Sequence, residues 1–315
     1  MNYRKLGRSG LKVSEVAVGG WLTHGRTIDD AATGAIVRRA FDLGVNFFDT
    51  ADVYHSGAAE EALGRAVRDL RREDLVIASK CFFPMSERPN DQGLSRKHLF
   101  ESVHGSLKRL GVEYIDLYQC HRYDTQTTLE ETIRAMDDLA RQGKILYWGV
   151  SEWRSHQIMD ADRLARQMGC LPPASNQPVY NMLTRGIETS VIPCCEQLGI
   201  GLVVFSPLAQ GILTGKYRPG RAPPKDSRGA DESSNVFMRN MLTDDCLSKV
   251  QKLAELANEQ GCTLGQMALA WCLRRPSLSS VIVGATRPEQ IEENVQASGL
   301  SLNSSVWERA EAILV

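Results

Sequence analysis

Short apolar runs rich in β-formers alternate along this chain with stretches whose apolar residues recur at three- and four-residue spacing. The first kind predicts strands and the second helices. A hairpin is expected over 3–13, turning at Ser9-Gly10, and then a strand over 14–18. Helix 28–43 carries Ala32, Ala35, Ile36, Ala40 and Leu43 on one face and is stopped by Gly44. Strand 45–48 runs into Asp49, and helix 59–70 follows with Ala62, Leu63, Ala66, Val67 and Leu70. Strand 75–80 ends at Lys80. Helix 95–110 repeats the helical spacing at Leu99, Val103, Leu107 and Leu110, with Ser95 as its N-cap. Strand 114–121 ends at His121. The rhythm continues through helix 129–142, strand 145–150, helix 155–168, strand 173–179, helix 187–198 and strand 201–205. Helices 244–260 and 263–274, strand 280–283, a helix opening at Pro288 and a closing helix 305–314 complete it. Pro193 predicts a kink or a helix start where it stands.

A strand and a helix about every 30–40 residues is the pattern of a (β/α)8 barrel. A doubly wound sheet is the alternative, but no Gly-x-Gly-x-x-Gly follows the first strand. The expected fold is an α/β TIM barrel over residues 1–315 as one domain. It has an N-terminal β-hairpin, a long loop after strand 7 and additional C-terminal helices. No internal repeat interrupts it. Residues 211–240 do, being rich in Pro, Gly, Ser and charge. They read as a floppy insertion or, given Lys216, Arg221, Lys225 and Arg228, as a flap over a phosphate-rich ligand.

Three consecutive strands end in Asp49, Lys80 and His121, and Tyr54 lies in the loop after the first. In a parallel barrel those ends share one rim, the rim that carries active sites. Singly, the residues read blandly: an Asp after a strand is most often a turn or cap residue, and a loop Tyr an exposed aromatic. A Lys closing a buried strand, however, needs a partner. Together the four form a chemical set. A neighbouring ammonium favours phenolate and lowers a Tyr pKa, a carboxylate holds the ammonium, and a His orients or polarises a carbonyl. Downstream, Gly284 feeds a helix that opens at Thr286-Arg287-Pro288, which is an anion-binding pattern. Arg287 there either points to solvent or meets an anion, since a helix start alone does not favour a cation.

The run Gly44-Val45-Asn46-Phe47-Phe48-Asp49-Thr50-Ala51 followed by Tyr54 resembles the signature of the aldo-keto reductases. The likeness extends from Tyr3-Arg4-Lys5-Leu6-Gly7 to Glu293-Asn294, and the longer loops look most like the branch with potassium-channel beta subunits and their bacterial relatives. The resemblance implies the tetrad Asp49, Tyr54, Lys80 and His121. It implies NADPH-dependent reduction of an aldehyde or ketone to an alcohol, with Tyr54 giving the proton. Ser151 and Gln177 would hold the nicotinamide carboxamide, Phe205 would stack on the ring, and Gly20 and Trp21 would lie beside it. Ser206, Leu208 and Gly211 would cover the pyrophosphate, with Lys216 reaching it. Thr286, Gln290, Glu293 and Asn294 would hold the adenosine end, and Arg287 with Arg228 would read the 2′-phosphate. Trp21, Tyr54, His121 and Trp153 would line the substrate pocket. Three positions depart from the family: Gly20 stands where many relatives carry Thr, Glu152 where several carry Asn or Arg, and Gln290 where another branch uses Arg. The same branch offers a second reading, a nicotinamide-binding regulatory subunit of a membrane channel. Channel subunits commonly carry Asn where this chain has His121, which favours the reductase. A cofactor-free barrel enzyme such as an isomerase would leave the phosphate-loop residues without a role.

Bulk properties narrow the partners. A net charge of −1 argues against nucleic acid. No apolar run approaches the ~20 residues that span a bilayer, and no apolar segment follows the first residues, so a cytoplasmic protein without membrane insertion is expected. The eight cysteines are scattered without a CxxC pair and read as buried free thiols. Cys81 and Cys120 adjoin Lys80 and His121, which leaves a redox role open. His98 and His104 read as surface or interface histidines, and with no carboxylate or Cys at ligand spacing no metal is expected. The sequence leaves open a homo-oligomer and the identity of the carbonyl substrate.

Overall fold

The computed structural model describes residues 1–225, 227–231 and 235–315; residues 226 and 232–234 of the expected flap lie outside the described residues. Strands β1 (Tyr3–Lys5) and β2 (Lys12–Ser14) form the antiparallel hairpin. Then follow β3 (Val16–Gly19), α1 (Asp30–Asp42), β4 (Phe47–Asp49), α2 (Ala58–Val67), β5 (Val76–Cys81) and α3 (Arg96–Leu110). Next come β6 (Ile115–Cys120), α4 (Leu129–Arg141), β7 (Ile145–Ser151), α5 (Ser155–Gln167), β8 (Ser175–Gln177), α6 (Val191–Leu198) and β9 (Gly201–Phe205). After a long connection the chain ends with α7 (Asp244–Glu259), α8 (Leu264–Leu273), β10 (Leu278–Val283), α9 (Pro288–Val295) and α10 (Ser304–Leu314).

Strands β3 to β10 pair in chain order, each parallel to the next, and β10 returns to β3 to close an eight-stranded barrel. The helices stop and start where local chemistry says. Gly44 adopts φ 86° just past α1, a conformation with little penalty only for glycine. Ser95 caps α3 by accepting from the His98 N–H, and Thr263 opens α8 with a reciprocal capping box to Gln266. Pro193 lies in the first turn of α6, so it marks a start rather than a kink, after a short 3-10 turn over Gly186–Thr189. The extra helices α7 and α10 pack on each other.

Two apolar layers hold the barrel. The larger lies between strands and helices and includes Val16, Val18, Phe48, Ile77 and Tyr118. The smaller fills the barrel interior with Ala17, Phe47, Val76, Ala78, Leu117, Val203 and Ile282, closed by Leu6 and Val13 of the hairpin. Each such large side chain, fully buried, stabilises the fold by roughly 1.5–3 kcal/mol. His98, expected at a surface or interface, is not at a surface: it is 1% exposed, its Nδ1 stands 3.8 Å from Asp91 Oδ1, and among the described residues neither ring nitrogen has a hydrogen-bond partner. His104, one and a half turns on, is exposed. Among the described residues no helix is long and apolar enough to cross a membrane.

Candidate active site

Strand pleating decides which side chains reach the barrel mouth. Phe47, Val76, Ala78 and Leu117 point into the interior. The two-residue period then carries Asp49, Lys80 and Gln119 to the same interior face, one step nearer the carboxyl rim. His121 continues that face just past β6, its N–H donating to the Cys81 carbonyl at 3.0 Å. The chain thus converges three strand ends on one point.

Lys80 is wholly buried, and its Nζ donates to Asp49 Oδ1 at 2.6 Å, to the Thr50 carbonyl at 2.8 Å and to the Tyr54 hydroxyl at 3.4 Å. Tyr54 meets the His121 ring edge to face at 5.7 Å between centroids. Tyr54 begins a 3-10 turn that leads into α2 through Gly57, at φ 95°. A Cβ on Gly57 would sit 2.6 Å from Cδ of Arg109, which crosses there to pair with buried Glu60 at 2.6 Å. Only glycine leaves room for that crossing. Behind the turn, Asp52 is fully buried. It accepts from Ser102 Oγ at 2.7 Å, and Ser102 in turn accepts from the Tyr118 hydroxyl at 2.8 Å, so the Tyr54 loop is tied to α3 and β6.

The electrostatics follow from burial first. Burial raises the Tyr54 pKa, and the expected opposite pull of Lys80 is present but smaller, so the phenol lies above its ordinary range. Burial alone would strip Lys80 of its proton, but Asp49 and then Tyr54 more than offset it and its pKa ends above the usual lysine value. His121 is pushed well below 6.5, by burial and then by Lys80 and Arg122. The resting site therefore holds a neutral phenol, an ammonium and a neutral imidazole. Cys81 and Cys120 face each other across β5 and β6, and burial drives both thiols up, so neither is a ready thiolate.

These groups stand at one end of a cleft of about 1480 Å³ that runs from Trp21 and His121 to Asn294. Of the residues expected around a cofactor, Trp21, Asp49, Ser151, Gln177, Phe205, Ser206, Leu208, Gly211, Lys216, Arg228, Gly284, Thr286, Arg287, Gln290, Glu293 and Asn294 all line it. Gly20 does not: the wall there is Gly19, and the space beside Gly20 is taken by the His24 ring, 2.9 Å from where a Cβ would stand. Trp153 does not either. It is 2% exposed and packs edge to face on Tyr123 at 4.8 Å, inside the helix–sheet layer. Arg221 also stays off the cleft wall, while Lys225 reaches it. Glu152 is exposed and accepts from the Val179 N–H at 2.7 Å, a loop-bracing role outside the cleft.

The long connection is folded over the cleft in its described part. Tyr217 is buried and accepts from the Gly229 N–H at 3.1 Å, and Phe237 meets Trp21 edge to face at 4.8 Å. Arg228 donates to Gln210, and Gln210 donates to Ser206. At the far end Gln290 accepts from Thr286 N–H at 2.8 Å, and Arg287 stands 68% exposed, 3.9 Å from Glu289.

Backbone strain concentrates on this rim. Among the described residues the non-glycine positions with left-handed φ are Leu22, His55, Ser56, Glu152, Ser206, Ala209 and Gln210, each in a loop that follows a barrel strand. Such conformations cost of order 1–3 kcal/mol each and persist where the surroundings over-determine them. Orphan polar atoms gather here too: Thr23 Oγ1, Ser227 Oγ and His121 Nδ1 are buried in cleft-lining residues, without a partner among the described residues. Together with Lys216, Lys225, Arg228 and Arg287 they form a donor set suited to phosphate and other oxygen acceptors. Sequence reasoning missed Gln119, whose Nε2 lies 3.5 Å from Asp49 Oδ2; a polar residue two before His121 in a buried strand was the signal. It also missed Thr23, Phe83, Arg122, Gln210, Ser227 and Phe237, loop residues with no periodic pattern to mark them.

The description "Aldo/keto reductase family" belongs to the family model that matches residues 15–315. A probable voltage-gated potassium channel subunit beta of Oryza sativa subsp. japonica is 44% identical, covering 100% of this chain and 97% of its own. A probable voltage-gated potassium channel subunit beta of Arabidopsis thaliana is 48% identical over 94% of this chain and 91% of its own. A putative voltage-gated potassium channel subunit beta of Schizosaccharomyces pombe is 42% identical over 94% and 87%. With the barrel, the rim and these matches in hand, the chain belongs to the aldo/keto reductase family.

Proposed function

We propose that this protein is an NADPH-dependent oxidoreductase that reduces an aldehyde or ketone to an alcohol, with Tyr54 as proton donor. Family membership supports an oxidoreductase. The observation that carries the finer reading is Lys80 Nζ held between Asp49 Oδ1 at 2.6 Å and the Tyr54 hydroxyl at 3.4 Å, beside a neutral His121.

The donor set fits a dinucleotide. Lys216, Lys225, Arg228, Ser227 and Thr23 would meet phosphate oxygens, Ser151 and Gln177 the nicotinamide amide, and Gln290, Glu293 and Asn294 the adenosine end. The bound reduced nicotinamide supplies the hydride for the carbonyl carbon. Tyr54 gives its hydroxyl proton to the carbonyl oxygen as the C=O π bond breaks. Lys80 lowers the cost of the tyrosinate that remains, and Asp49 keeps Lys80 charged and aimed. His121, neutral, donates to or orients the same oxygen without competing as an acid. The rings of Trp21, Phe83 and Phe237 give the same cleft an apolar part of its wall.

A second reading, a regulatory subunit of a membrane channel, follows from the relatives that are named as potassium channel beta subunits. His121, where channel subunits commonly carry Asn, favours the reductase. The test is NADPH oxidation measured over a panel of aldehydes, ketones and sugars for wild type, Tyr54→Phe and Lys80→Met. Wild-type turnover with losses of about 10²–10⁴-fold in each variant is expected, cofactor affinity being kept. Near-native turnover in Tyr54→Phe would defeat the assignment.

A further inference from the structure

We propose that the substrate is an acidic carbonyl compound, an apolar aldehyde or ketone whose carboxylate or phosphate is held by Arg122. The inference rests on the reductase reading and adds the substrate class to it.

Arg122 follows His121 directly and lies on the cleft wall, half-buried. Its Nη1 donates to the His121 carbonyl at 2.6 Å, which fixes one edge of the guanidinium. The group lies 5.5 Å from the centre of the Phe83 ring, and that ring stands 5.0 Å from His121. Arg122 is close enough to pull the pKa of both Tyr54 and His121 downward. So a permanent cation stands beside the reacting end of the cleft.

Among the described residues no carboxylate pairs with it, although other half-buried arginines of this chain, such as Arg72, Arg109 and Arg185, each hold one. The carboxylates on the cleft wall are engaged or distant. Asp49 is shared by Lys80 and Gln177, Asp231 acts on Arg228, and Glu293 lies by Gly265. His55 and His121, also on the cleft wall, are both pushed toward the neutral form, and Asp124, two residues on, accepts from Leu94, Gln126 and Thr127. A half-buried guanidinium with one edge open gains most from an anion that arrives with the ligand, because its planar fork matches carboxylate and phosphate oxygens. Phe83 lies against Arg122, and Trp21 with Phe237 adds a second pair of rings to the same cleft wall. They ask for an apolar body between the carbonyl and the charge.

The test compares 4-carboxybenzaldehyde with its methyl ester, and 4-formylphenyl phosphate with 4-methoxybenzaldehyde, in wild type, Arg122→Gln and Arg122→Lys. A second readout is tryptophan fluorescence of the cofactor-loaded protein titrated with 4-(hydroxymethyl)benzoate and with 4-(hydroxymethyl)benzamide. Wild type is expected to favour at least one acid over its neutral partner by about tenfold or more, mainly through KM. Which pair shows the preference tells carboxylate from phosphate. Arg122→Gln should bring that ratio close to one and weaken the benzoate but not the benzamide, while Arg122→Lys keeps part of the preference. Wild-type turnover with no preference for either acid, or a preference that survives in Arg122→Gln, overturns the inference and leaves the reductase reading standing. Absence of turnover with every carbonyl overturns both.

Discussion

The side-chain amide of Gln177 donates to Oδ2 of Asp49 at 2.9 Å, across 128 residues of chain, while Oδ1 of the same carboxylate receives Lys80. Both oxygens of Asp49 are thus committed inside the barrel. The carboxylate aims the ammonium that faces Tyr54, and it also restrains an amide that the family resemblance assigns to the cofactor.

This arrangement predicts an asymmetry between two substitutions. Asp49→Asn leaves Lys80, wholly buried, without its counter-charge, and breaking such a pair costs roughly 3–5 kcal/mol. Gln177→Ala removes one hydrogen bond to that carboxylate but leaves its ion pair with Lys80, and should cost less, roughly 1.5–3 kcal/mol. Urea unfolding at neutral pH reads both. Equal losses would mean that the Lys80 charge is satisfied without Asp49.

The pH profile of reduction should lack a histidine limb. His121 has its pKa pushed well below 6.5, so it stays neutral at higher pH, and Tyr54, raised by burial, keeps its proton into the alkaline range. The kcat/KM for an uncharged aldehyde is expected to be level from about pH 6.5 to about pH 9. A limb centred near neutrality in wild type that vanishes in His121→Asn would contradict this.

Asp52 predicts a stability that falls as pH rises. Its pKa is raised from 3.8 to about 7, chiefly by burial. Between those values the folded state binds more protons than the unfolded state, so unfolding free energy declines with pH and levels off above 7. The loss is on the order of 4 kcal/mol at most. Asp52→Asn should be the more stable protein at pH 8 and show little advantage at pH 4. Denaturant melts at the two pH values test it, and a wild type that gains stability over this interval relative to Asp52→Asn would reverse the sign.

Cofactor choice should depend on Arg228 and Arg287. Arg228 lies on the cleft wall from the long connection and Arg287 at the start of α9, its one ion-pair contact among the described residues being Glu289 at 3.9 Å. Changing both to Ala should weaken NADPH binding at least about tenfold and barely alter NADH, since charge-assisted bonds contribute roughly 1.5–3 kcal/mol each. Direct titration of both cofactors measures the effect. Equal losses for both would mean that these side chains do not read a 2′-phosphate.

The barrel and the face that carries Asp49, Lys80 and His121 were legible in the pattern of residues along the chain. Residue periods of 2 and 3.6 mark the strands and helices, and in β4, β5 and β6 the same parity that buries Phe47, Ala78 and Leu117 sends Asp49, Lys80 and Gln119 inward. Helix caps such as Ser95 and Thr263 were legible because capping is local. Tertiary structure alone decided the rest. Trp153, which the resemblance puts on the substrate pocket, and His98, which a local reading puts at a surface or interface, are both buried by packing against other elements, which no neighbour in sequence could signal. Whether Lys80 or burial governs Tyr54 depends on how much of the phenol is removed from water, a property of the closed fold. The open guanidinium of Arg122 is likewise visible only once each carboxylate on the cleft wall has been traced to its own partner or place. Charge pairing is a matter of distance in space, and in a barrel that distance is set by the far ends of the chain.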